Sequence, residues 1–280
     1  MDNNNSITII DSKNSFNLLN FYELFNYKDL FYFLVLRDIK VLYKQTILGF
    51  SWAIIRPVFS MIILSFIFGV MAKIPSDDIP YPIFSYIALV PWTYFSTSVV
   101  KSTQSLLNNI GVFNKVYFPR IIIPLVPAIS GLIDFFISIN IVFILMVWYG
   151  FSINIKILLV PLLILIMFFT SSGIGMWLSA LAIQYRDVRY AINFLVQLLF
   201  YITPVVWPIS LISHKFGDFF LYCFSLYPMI GVIEGFRVSF LGNSEIPWDI
   251  ILIGFISSFL IFLSGIIFFK SKEKFFSDVA

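Results

Sequence analysis

The sequence predicts an all-α polytopic membrane protein with six transmembrane helices. Of its 280 residues, 60% are hydrophobic and 12% are charged, whereas soluble domains carry about a quarter charged residues. Four long segments contain no Lys, Arg, Asp or Glu, namely 79–100, 157–185, 190–213 and 250–269. A helix of about 20 apolar residues covers the roughly 30 Å hydrocarbon core, so each segment is suited to cross it.

The spans follow in order from where the apolar runs begin and end. The first begins at Ser51 and Trp52, the third follows Pro119 and Arg120, and the fifth follows the charged residues 186–189. The predicted spans are about 51–72, 82–104, 121–148, 157–182, 190–206 and 249–269. They divide the chain into a polar cytoplasmic segment (1–27), an amphipathic helix (28–50), a transmembrane domain (51–272) and a cytoplasmic tail (273–280).

The distribution of Lys and Arg predicts the orientation, because cytoplasmic loops of membrane proteins are enriched in these residues. With a cytoplasmic N-terminus, 14 of the 18 basic residues lie inside and 4 lie outside. The inside set is Lys13, Lys28, Arg37, Lys40, Lys44, Arg56, Lys101, Lys115, Arg120, Arg186, Arg189, Lys270, Lys272 and Lys274. The outside set is Lys73, Lys156, Lys215 and Arg237. An even number of spans then places both termini in the cytoplasm.

Residues 28–50 predict an amphipathic helix that lies on the inner membrane surface. On a helical wheel one side is apolar and the opposite arc is basic. The apolar side holds Val35, Ile39, Leu42 and Tyr43, and the basic arc holds Arg37, Lys40 and Lys44. This pattern is typical of interfacial helices. An ordinary solvated helix before the first span is the alternative.

Residues 207–248, between spans five and six, predict a re-entrant helical hairpin on the outer side. Its two apolar runs, 219–227 and 228–241, are too short to cross as helices. Backbone at that depth must be shielded by protein or line an aqueous cavity. Glu234 and Arg237 are three residues apart and can pair on one helix face. Such a hairpin is a candidate outer gate, and a passive packing element is the alternative.

Two inner loops are candidate docking surfaces. The loop 105–120 mixes apolar residues with charge, a combination that marks docking surfaces when it is exposed. Its polar members include Asn114, Lys115 and Arg120. The loop 184–190 contains Arg186, Asp187 and Arg189, which either pair among themselves or face a partner. A positive-inside anchor explains the two arginines but not Asp187.

Several kinds of chemistry find no support in the sequence. No G-x-x-x-x-G-K-[ST] motif is present, so we do not expect the chain to bind ATP phosphates by that route. The single histidine, His214, has no second type of metal ligand clustered beside it, and no nucleophile with a nearby base is readable. We therefore expect neither catalytic residues nor a metal site.

Asp134 is the clearest intramembrane charge, midway along span three. A carboxylate at the centre of a span costs about 2.5–3.5 kcal/mol on insertion scales, so it must face a polar interior or pair with another group. Proton- and ion-driven carriers normally need more than one such group, which disfavours a secondary transporter.

Short motifs occur in a distinctive order from about residue 30 to 272. They are Leu48-Gly49-Phe50-Ser51-Trp52 with Arg56-Pro57, Phe118-Pro119-Arg120, Tyr185-Arg186-Asp187-Val188-Arg189-Tyr190, Thr203-Pro204-Val205, Tyr227-Pro228 and Ile233-Glu234-Gly235-Phe236-Arg237. In this order and spacing they resemble the membrane subunit of type-2 ABC exporters for polysaccharides. That group exports O-antigen, capsule and teichoic acid.

The resemblance implies a homodimeric permease with a separate ATPase subunit bound to each copy. ATP and Mg would be bound by that partner, and this chain would need no cofactor of its own. The substrate would be a lipid-linked glycan that passes between the two copies in the bacterial inner membrane, and no nucleic acid would be involved. The residues expected to couple to the ATPase are Asn114, Lys115, Phe118, Pro119, Arg120, Arg186, Asp187 and Arg189. The residues expected in the outer gate are Tyr227, Pro228, Glu234 and Arg237.

Three readings of the function remain open from the sequence. The first is the polysaccharide exporter, with O-antigen placed before capsule and teichoic acid. The second is a type-2 ABC permease for a small lipophilic compound, which would share the fold and the missing nucleotide site. The third is an integral-membrane enzyme of glycan assembly, which would need paired acidic residues or a histidine at the membrane surface. A neighbouring gene for a P-loop ATPase, flanked by glycosyltransferase genes, would separate the three.

Overall fold

The fold is described by a computed structural model that covers residues 25–44, 49–113, 118–242, 245–273 and 276. All regular structure within these ranges is helical and they contain no strand, which confirms the predicted all-α class. Side chains are not described at 112, 113, 213 and 214. Several residues named above therefore lie outside the description: Lys13, Asn114, Lys115, Lys274 and the side chain of His214.

Eleven α-helices follow one another along the described chain, with one π-helix and one 3-10 helix between them. They are α1 (Lys28–Tyr43), α2 (Ser51–Leu64), the π-helix (Ser65–Met71), α3 (Tyr81–Asn108), α4 (Ile110–Phe113), α5 (Ile122–Tyr149), the 3-10 helix (Ile155–Leu159), α6 (Val160–Gln184), α7 (Asp187–Ile202), α8 (Ser210–Phe216), α9 (Asp218–Ser225), α10 (Pro228–Leu241) and α11 (Trp248–Lys272).

Helix α2 shows how a proline inside a span is accommodated. Pro57 has no N–H group, so it cannot donate to the carbonyl of Ala53 four residues earlier. The Ser138 hydroxyl of α5, which also lies 2.8 Å from the Asp134 carbonyl of its own helix, donates to Ala53 at 2.8 Å. Lipid offers that carbonyl no other partner. The bond therefore fixes the register between α2 and α5, because Ser138 must lie beside the start of α2.

Within the described residues, five helical segments are long and apolar enough to cross a membrane. They are Ser51–Met71, Tyr81–Asn108, Ile122–Tyr149, Ile155–Gln184 and Trp248–Lys272. These segments correspond to the first, second, third, fourth and sixth predicted spans. The fifth predicted span corresponds to α7, which has 16 residues and is about 24 Å long at 1.5 Å per residue.

Helix α7 connects the two faces of the bundle despite its short length. It begins shortly after α6 ends, and Gly175 of α6 packs against Ser102 in the last third of α3. Beyond its other end, the Val206 carbonyl accepts a 2.6 Å hydrogen bond from the hydroxyl of Tyr81 at the start of α3. Helix α7 thus runs from one end of α3 to the other and supplies a sixth crossing.

The first and last helices meet on one face of the bundle, which we call the inner face. Leu34 and Val35 of α1 share a buried cluster with Phe269 of α11 and with Phe276. An even number of crossings requires this arrangement. Which side of the membrane the inner face occupies remains a prediction from the charge distribution.

The segment between α7 and α11 enters the bundle and returns to the outer face. Helices α9 and α10 are bent by 105° at the break between them. The Tyr227 ring at the bend packs against Phe95, well along α3, with ring centroids 6.1 Å apart. Helix α10 then runs back to Gly242, whose carbonyl accepts a hydrogen bond from Lys156 Nζ at 3.2 Å, beside the start of α6. Helices α9 and α10 thus form a bent pair, and its re-entrant placement in the membrane remains a prediction.

Helices α6 and α11 approach each other closely at two glycines. A Cβ atom at Gly265 would lie 2.6 Å from the carbonyl oxygen of Gly173, and one at Gly173 would lie 2.7 Å from that of Ile261. In lipid, helices associate through such close van der Waals contacts between small residues. Beside the contact, Trp177 Nε1 donates to the Ser264 hydroxyl at 3.2 Å.

We expect Gly265→Ala to destabilise the protein by about 1–3 kcal/mol, because the new methyl group overpacks a contact between two backbones. The matched control is Gly254→Ala in the same helix, where the added Cβ would lie 3.4 Å from the Pro228 carbonyl, an ordinary contact. Size-exclusion chromatography after heating would give the melting midpoints. Equal midpoints for the two variants would contradict the close-packing argument.

Candidate functional site

The outer hairpin contains a buried ion pair. Arg237 Nη1 lies 3.3 Å from Glu234 Oε2 one turn earlier in α10, so the spacing of the two residues does bring them together. The Arg237 side chain is 4% exposed and the Glu234 side chain is 15% exposed. Charges this deeply buried have lost most of their hydration and depend on their partners within the protein.

Arg237 has two further partners besides Glu234. Its Nη2 donates to the Val205 carbonyl at 3.1 Å. Its guanidinium carbon lies 3.7 Å from the centroid of the Phe84 ring, a cation–π contact that desolvation strengthens. Arg237 therefore joins three parts of the fold: α10, the outer end of α3 and the turn that follows α7.

The other two residues expected in the gate begin α10. Tyr227 precedes the helix and Pro228 is its first residue, a position where the missing N–H of proline costs nothing. Most of α10 is buried, including Pro228. Helix α9 is different, because it exposes apolar side chains such as Phe219, at 82%. The hairpin thus combines a packed helix with an uncovered one.

The apolar side of α1 packs against protein. Leu34 and Val35 are buried in the inner cluster, and Arg37 pairs with the neighbouring Asp38 at 2.8 Å. The uncovered side is mixed, with apolar and basic residues together. It carries Tyr32, Phe33, Lys40, Val41 and Lys44. Of the predicted basic arc, Lys40 and Lys44 face outward, whereas Arg37 is half-buried, and contact of α1 with the membrane remains a prediction.

Residues 118–120, which precede α5, contact other residues of the inner face. Phe118 is 4% exposed and packs in the same cluster as Leu34 and Val35, so its ring is not part of an exposed docking surface. Arg120 Nη1 donates to the Glu273 carbonyl at 3.2 Å, just beyond α11. Pro119, between them, is half-buried. The sequence pattern could not distinguish an apolar ring that packs inside the protein from one that is exposed and available to a partner protein.

Arg186, Asp187 and Arg189 lie at the start of α7. Arg186 and Asp187 are exposed, and the Asp187 carboxylate in the first turn interacts favourably with the helix dipole. In the part of the chain that the structure describes, none of the three forms an ion pair with another. Of the two predicted arrangements, mutual pairing does not form, and the charges at 186 and 187 face outward.

Asp134 lies close to the inner end of α2. It precedes Ser138 by one turn of α5, and Ser138 bonds to Ala53, the third residue of α2. Asp134 lines a cavity of about 200 Å³ together with Arg56 and Lys101. The middle of α5 is therefore not the middle of the membrane, because a long stretch of this 28-residue helix precedes the start of α2.

Sequence reasoning missed a polar stripe along α7. Ile192 is the buried residue of this helix. Tyr190, Asn193, Gln197 and Tyr201 recur every three or four residues and are all exposed. Asn193 and Gln197 are also the two amide residues of the charge-free segment 190–213, so their spacing could have indicated the stripe. The sequence could not show that this face of α7 is left uncovered.

The whole length from α1 to the end of α10 matches a known family. A model of the family described as ABC-2 type transporter matches residues 29–241. The chain belongs to this family. The matched range contains every docking, gate and cavity residue named above, and the resemblance inferred from the short motifs is confirmed.

Several relatives of this ABC-2 type transporter are named for export. The O-antigen export system permease protein RfbA of Myxococcus xanthus is 26% identical over 262 residues, which cover 92% of this chain and 98% of that protein. A Klebsiella pneumoniae protein of the same name is 26% identical over 252 residues, covering 90% and 95%. The polysialic acid transport protein KpsM of Escherichia coli is 27% identical over 209 residues, covering 72% and 77%.

We expect the charge-swapped variant Glu234→Arg with Arg237→Glu to remain less stable than the wild type. A carboxylate at 237 cannot donate to the Val205 carbonyl and would lie against the electron-rich face of Phe84. Arg237→Met leaves Glu234 buried without its partner, a loss of about 3–5 kcal/mol when the pair is fully buried. Melting midpoints of the purified variants would test this, with the exposed Arg186→Glu as control. A swap that restores the wild-type midpoint would show that the two residues serve only each other.

Proposed function

We propose that the chain is the membrane permease of an ATP-driven polysaccharide exporter, acting as two copies that each bind a separate ATPase subunit. Family membership and relatives named for O-antigen export and polysialic acid transport support this proposal. The cargo is a lipid-linked glycan, with O-antigen as first choice. It passes from the cytoplasm across the bacterial inner membrane, and both termini of the permease are cytoplasmic.

The polar stripe of α7 is the observation that carries the proposal. Asn193 and Gln197 expose amide groups in the middle of a crossing helix. Asn193 Nδ2 donates to the Arg189 carbonyl of its own helix at 3.2 Å. A lipid-facing position would still leave the Asn193 amide oxygen and the Gln197 amide without partners among the described residues, so they suit a surface that lines a water-filled path. Amides can bond to sugar hydroxyls, and the rings of Tyr190 and Tyr201 offer apolar faces with a polar edge.

A path between two copies explains why α2 and α7 are both largely uncovered. Pro57 is the buried residue of α2. The exposed residues of α2 are mostly apolar, among them Phe59 and Phe66, and suit lipid or protein. Helix α7 alone of the two carries the amide stripe. In a pair of copies the stripes would face the path, and α2 would lie beside it.

The inner face supplies the surface for the ATPase subunit. The sequence has no P-loop motif, so ATP and Mg are assigned to the partner. The outward charges at Arg186 and Asp187 suit a charged partner surface. Helix α4 belongs with Phe118, Pro119 and Arg120 to the proposed coupling segment. Asn114 and Lys115 belong to it by sequence alone.

We expect Arg186→Glu to reduce copurification of the ATPase subunit several-fold, because it reverses an exposed charge at the proposed contact. The matched control is Lys215→Glu, the same kind of change at an exposed residue of α8 on the outer hairpin. Affinity purification of the tagged permease and quantification of bound ATPase would measure the effect. Unchanged copurification with Arg186→Glu would remove this residue from the docking surface.

We expect the double variant Asn193→Leu with Gln197→Leu to lower export strongly while the protein still inserts, because leucine removes the polar groups of the path and suits a crossing helix. Surface polysaccharide per unit of permease in the membrane would be the measurement. The control is Leu198→Ile, a conservative change at an exposed residue of the same helix. Normal export by the double variant would contradict a glycan path along α7.

The double variant Asn193→Leu with Gln197→Leu also distinguishes a polysaccharide exporter from a permease for a small lipophilic compound. A small lipophilic cargo gains nothing from amide groups along its route, so its export would survive the loss of Asn193 and Gln197. A polysaccharide, which carries hydroxyls at every unit, would lose contacts along the whole stripe.

A further inference from the structure

A cavity lies between α1, α2, α3 and α5 near the inner end of α2, and its lining combines apolar residues with three charged ones. It has a volume of about 200 Å³, and its charged lining consists of Arg56, Lys101 and Asp134. Trp52 and Arg56 are exposed, so the cavity can be reached from the surface of the bundle. Neither the proposed docking surface nor the stripe of α7 includes these residues.

The charges around this cavity do not satisfy one another. Asp134 Oδ1 is buried and has no hydrogen-bond partner among the described residues. Within that part of the chain, Arg56 and Lys101 form no ion pair, and the Arg56 guanidinium lies 5.5 Å from the Trp52 ring centroid. Two cations and one carboxylate without ion-pair partners among the described residues suit a ligand that brings both an anion and a hydrogen-bond donor into the cavity.

The cavity lies at the depth of lipid headgroups. Helix α2 and its π-helical continuation form a 21-residue span that begins at Ser51, so the first turns of α2 mark one edge of the hydrocarbon core. Trp52 at this position fits the aromatic belt found at membrane surfaces. The bond between Ser138 and Ala53 places Asp134 beside the same edge.

We propose that the cavity binds the headgroup of a phosphoethanolamine lipid. Arg56 and Lys101 bind the phosphate, and the ammonium group donates a hydrogen bond to the Asp134 carboxylate. A phosphate without an amine would leave the Asp134 carboxylate without a cationic partner, and a neutral sugar would bring no anion to the two cations. The zwitterionic headgroup matches two cations and one carboxylate in a single cavity.

Competition between lipids would test the proposal on the purified permease, with its ATPase subunit where the two copurify. Nanodiscs would contain equal parts of phosphatidylethanolamine, phosphatidylglycerol and phosphatidylcholine, and native mass spectrometry would identify the lipids that stay bound. Hydrogen bonds to charged groups correspond to roughly a tenfold preference or more, so phosphatidylethanolamine should be enriched about tenfold over the other two. Equal retention of phosphatidylglycerol, or loss of all lipids, would overturn the proposal.

Single substitutions test which residue binds the ammonium group and which binds the phosphate. Asp134→Asn should abolish the preference for phosphatidylethanolamine over phosphatidylglycerol, whereas Lys101→Gln should weaken retention of all phospholipids. Asp249→Asn, an equal change at an exposed carboxylate outside the cavity, should change neither. An unchanged preference in Asp134→Asn would overturn the assignment.

A comparison within the wild type does not depend on the folding of any variant. Phosphatidylcholine has the same charges but no N–H donor, so equal retention of it and phosphatidylethanolamine would overturn the bond to Asp134.

A diphosphate-linked cargo is the competing source of phosphate. Displacement of phosphatidylethanolamine by undecaprenyl phosphate, added at an equal amount, would assign the cavity to the cargo instead. These measurements involve no export, so their failure leaves the proposed exporter function intact.

Discussion

Some backbone carbonyl groups accept no hydrogen bond from an N–H group of their own helix. These groups determine where several polar side chains of this membrane protein lie. The Ala53 carbonyl is open because Pro57 has no N–H group, and Ser138 of another helix supplies the donor. The carbonyls of Val205 and Val206 are open because α7 has ended, and Arg237 and Tyr81 supply theirs. Each of these interruptions of a helix is therefore bonded to one particular neighbour.

These bonds position the charges on which the proposed functions depend. The bond at Ala53 brings Asp134 to the level of Arg56 and so builds the inner cavity. The bond at Val205 holds Arg237 under the Phe84 ring, where the guanidinium serves α10 as well as the turn after α7. Arg237 is therefore more than the partner of Glu234, and it anchors the outer hairpin to the rest of the bundle.

The sequence predicts most of the fold because length and charge-free composition directly determine what can cross a membrane. The hairpin and the pair at 234 and 237 were also predictable, since run length and helical spacing are local properties. The contacts between helices could not be predicted from the sequence. The depth of Asp134 depends on the register between α2 and α5, and the inward packing of Phe118 depends on a cluster drawn from distant parts of the chain. The stripe of α7 was visible as a spacing, but its exposure is decided by which helices α7 does not touch.

Packing divides the protein into a closely packed body and two sparsely covered helices. The body consists of α3, α5, α6, α10 and α11, with backbone contacts such as that between Gly173 and Gly265. Helices α2 and α7 each have one buried residue, Pro57 and Ile192. Close packing resists deformation, so relative movement of the parts is expected at α2 and α7 rather than within the body. Helix α7 also carries the polar stripe that the proposed exporter would need, and α2 forms one wall of the inner cavity. A rigid body with two loosely attached helices allows the path to change shape while the hydrogen bonds at Val205 and Val206 keep the outer end of α7 in place.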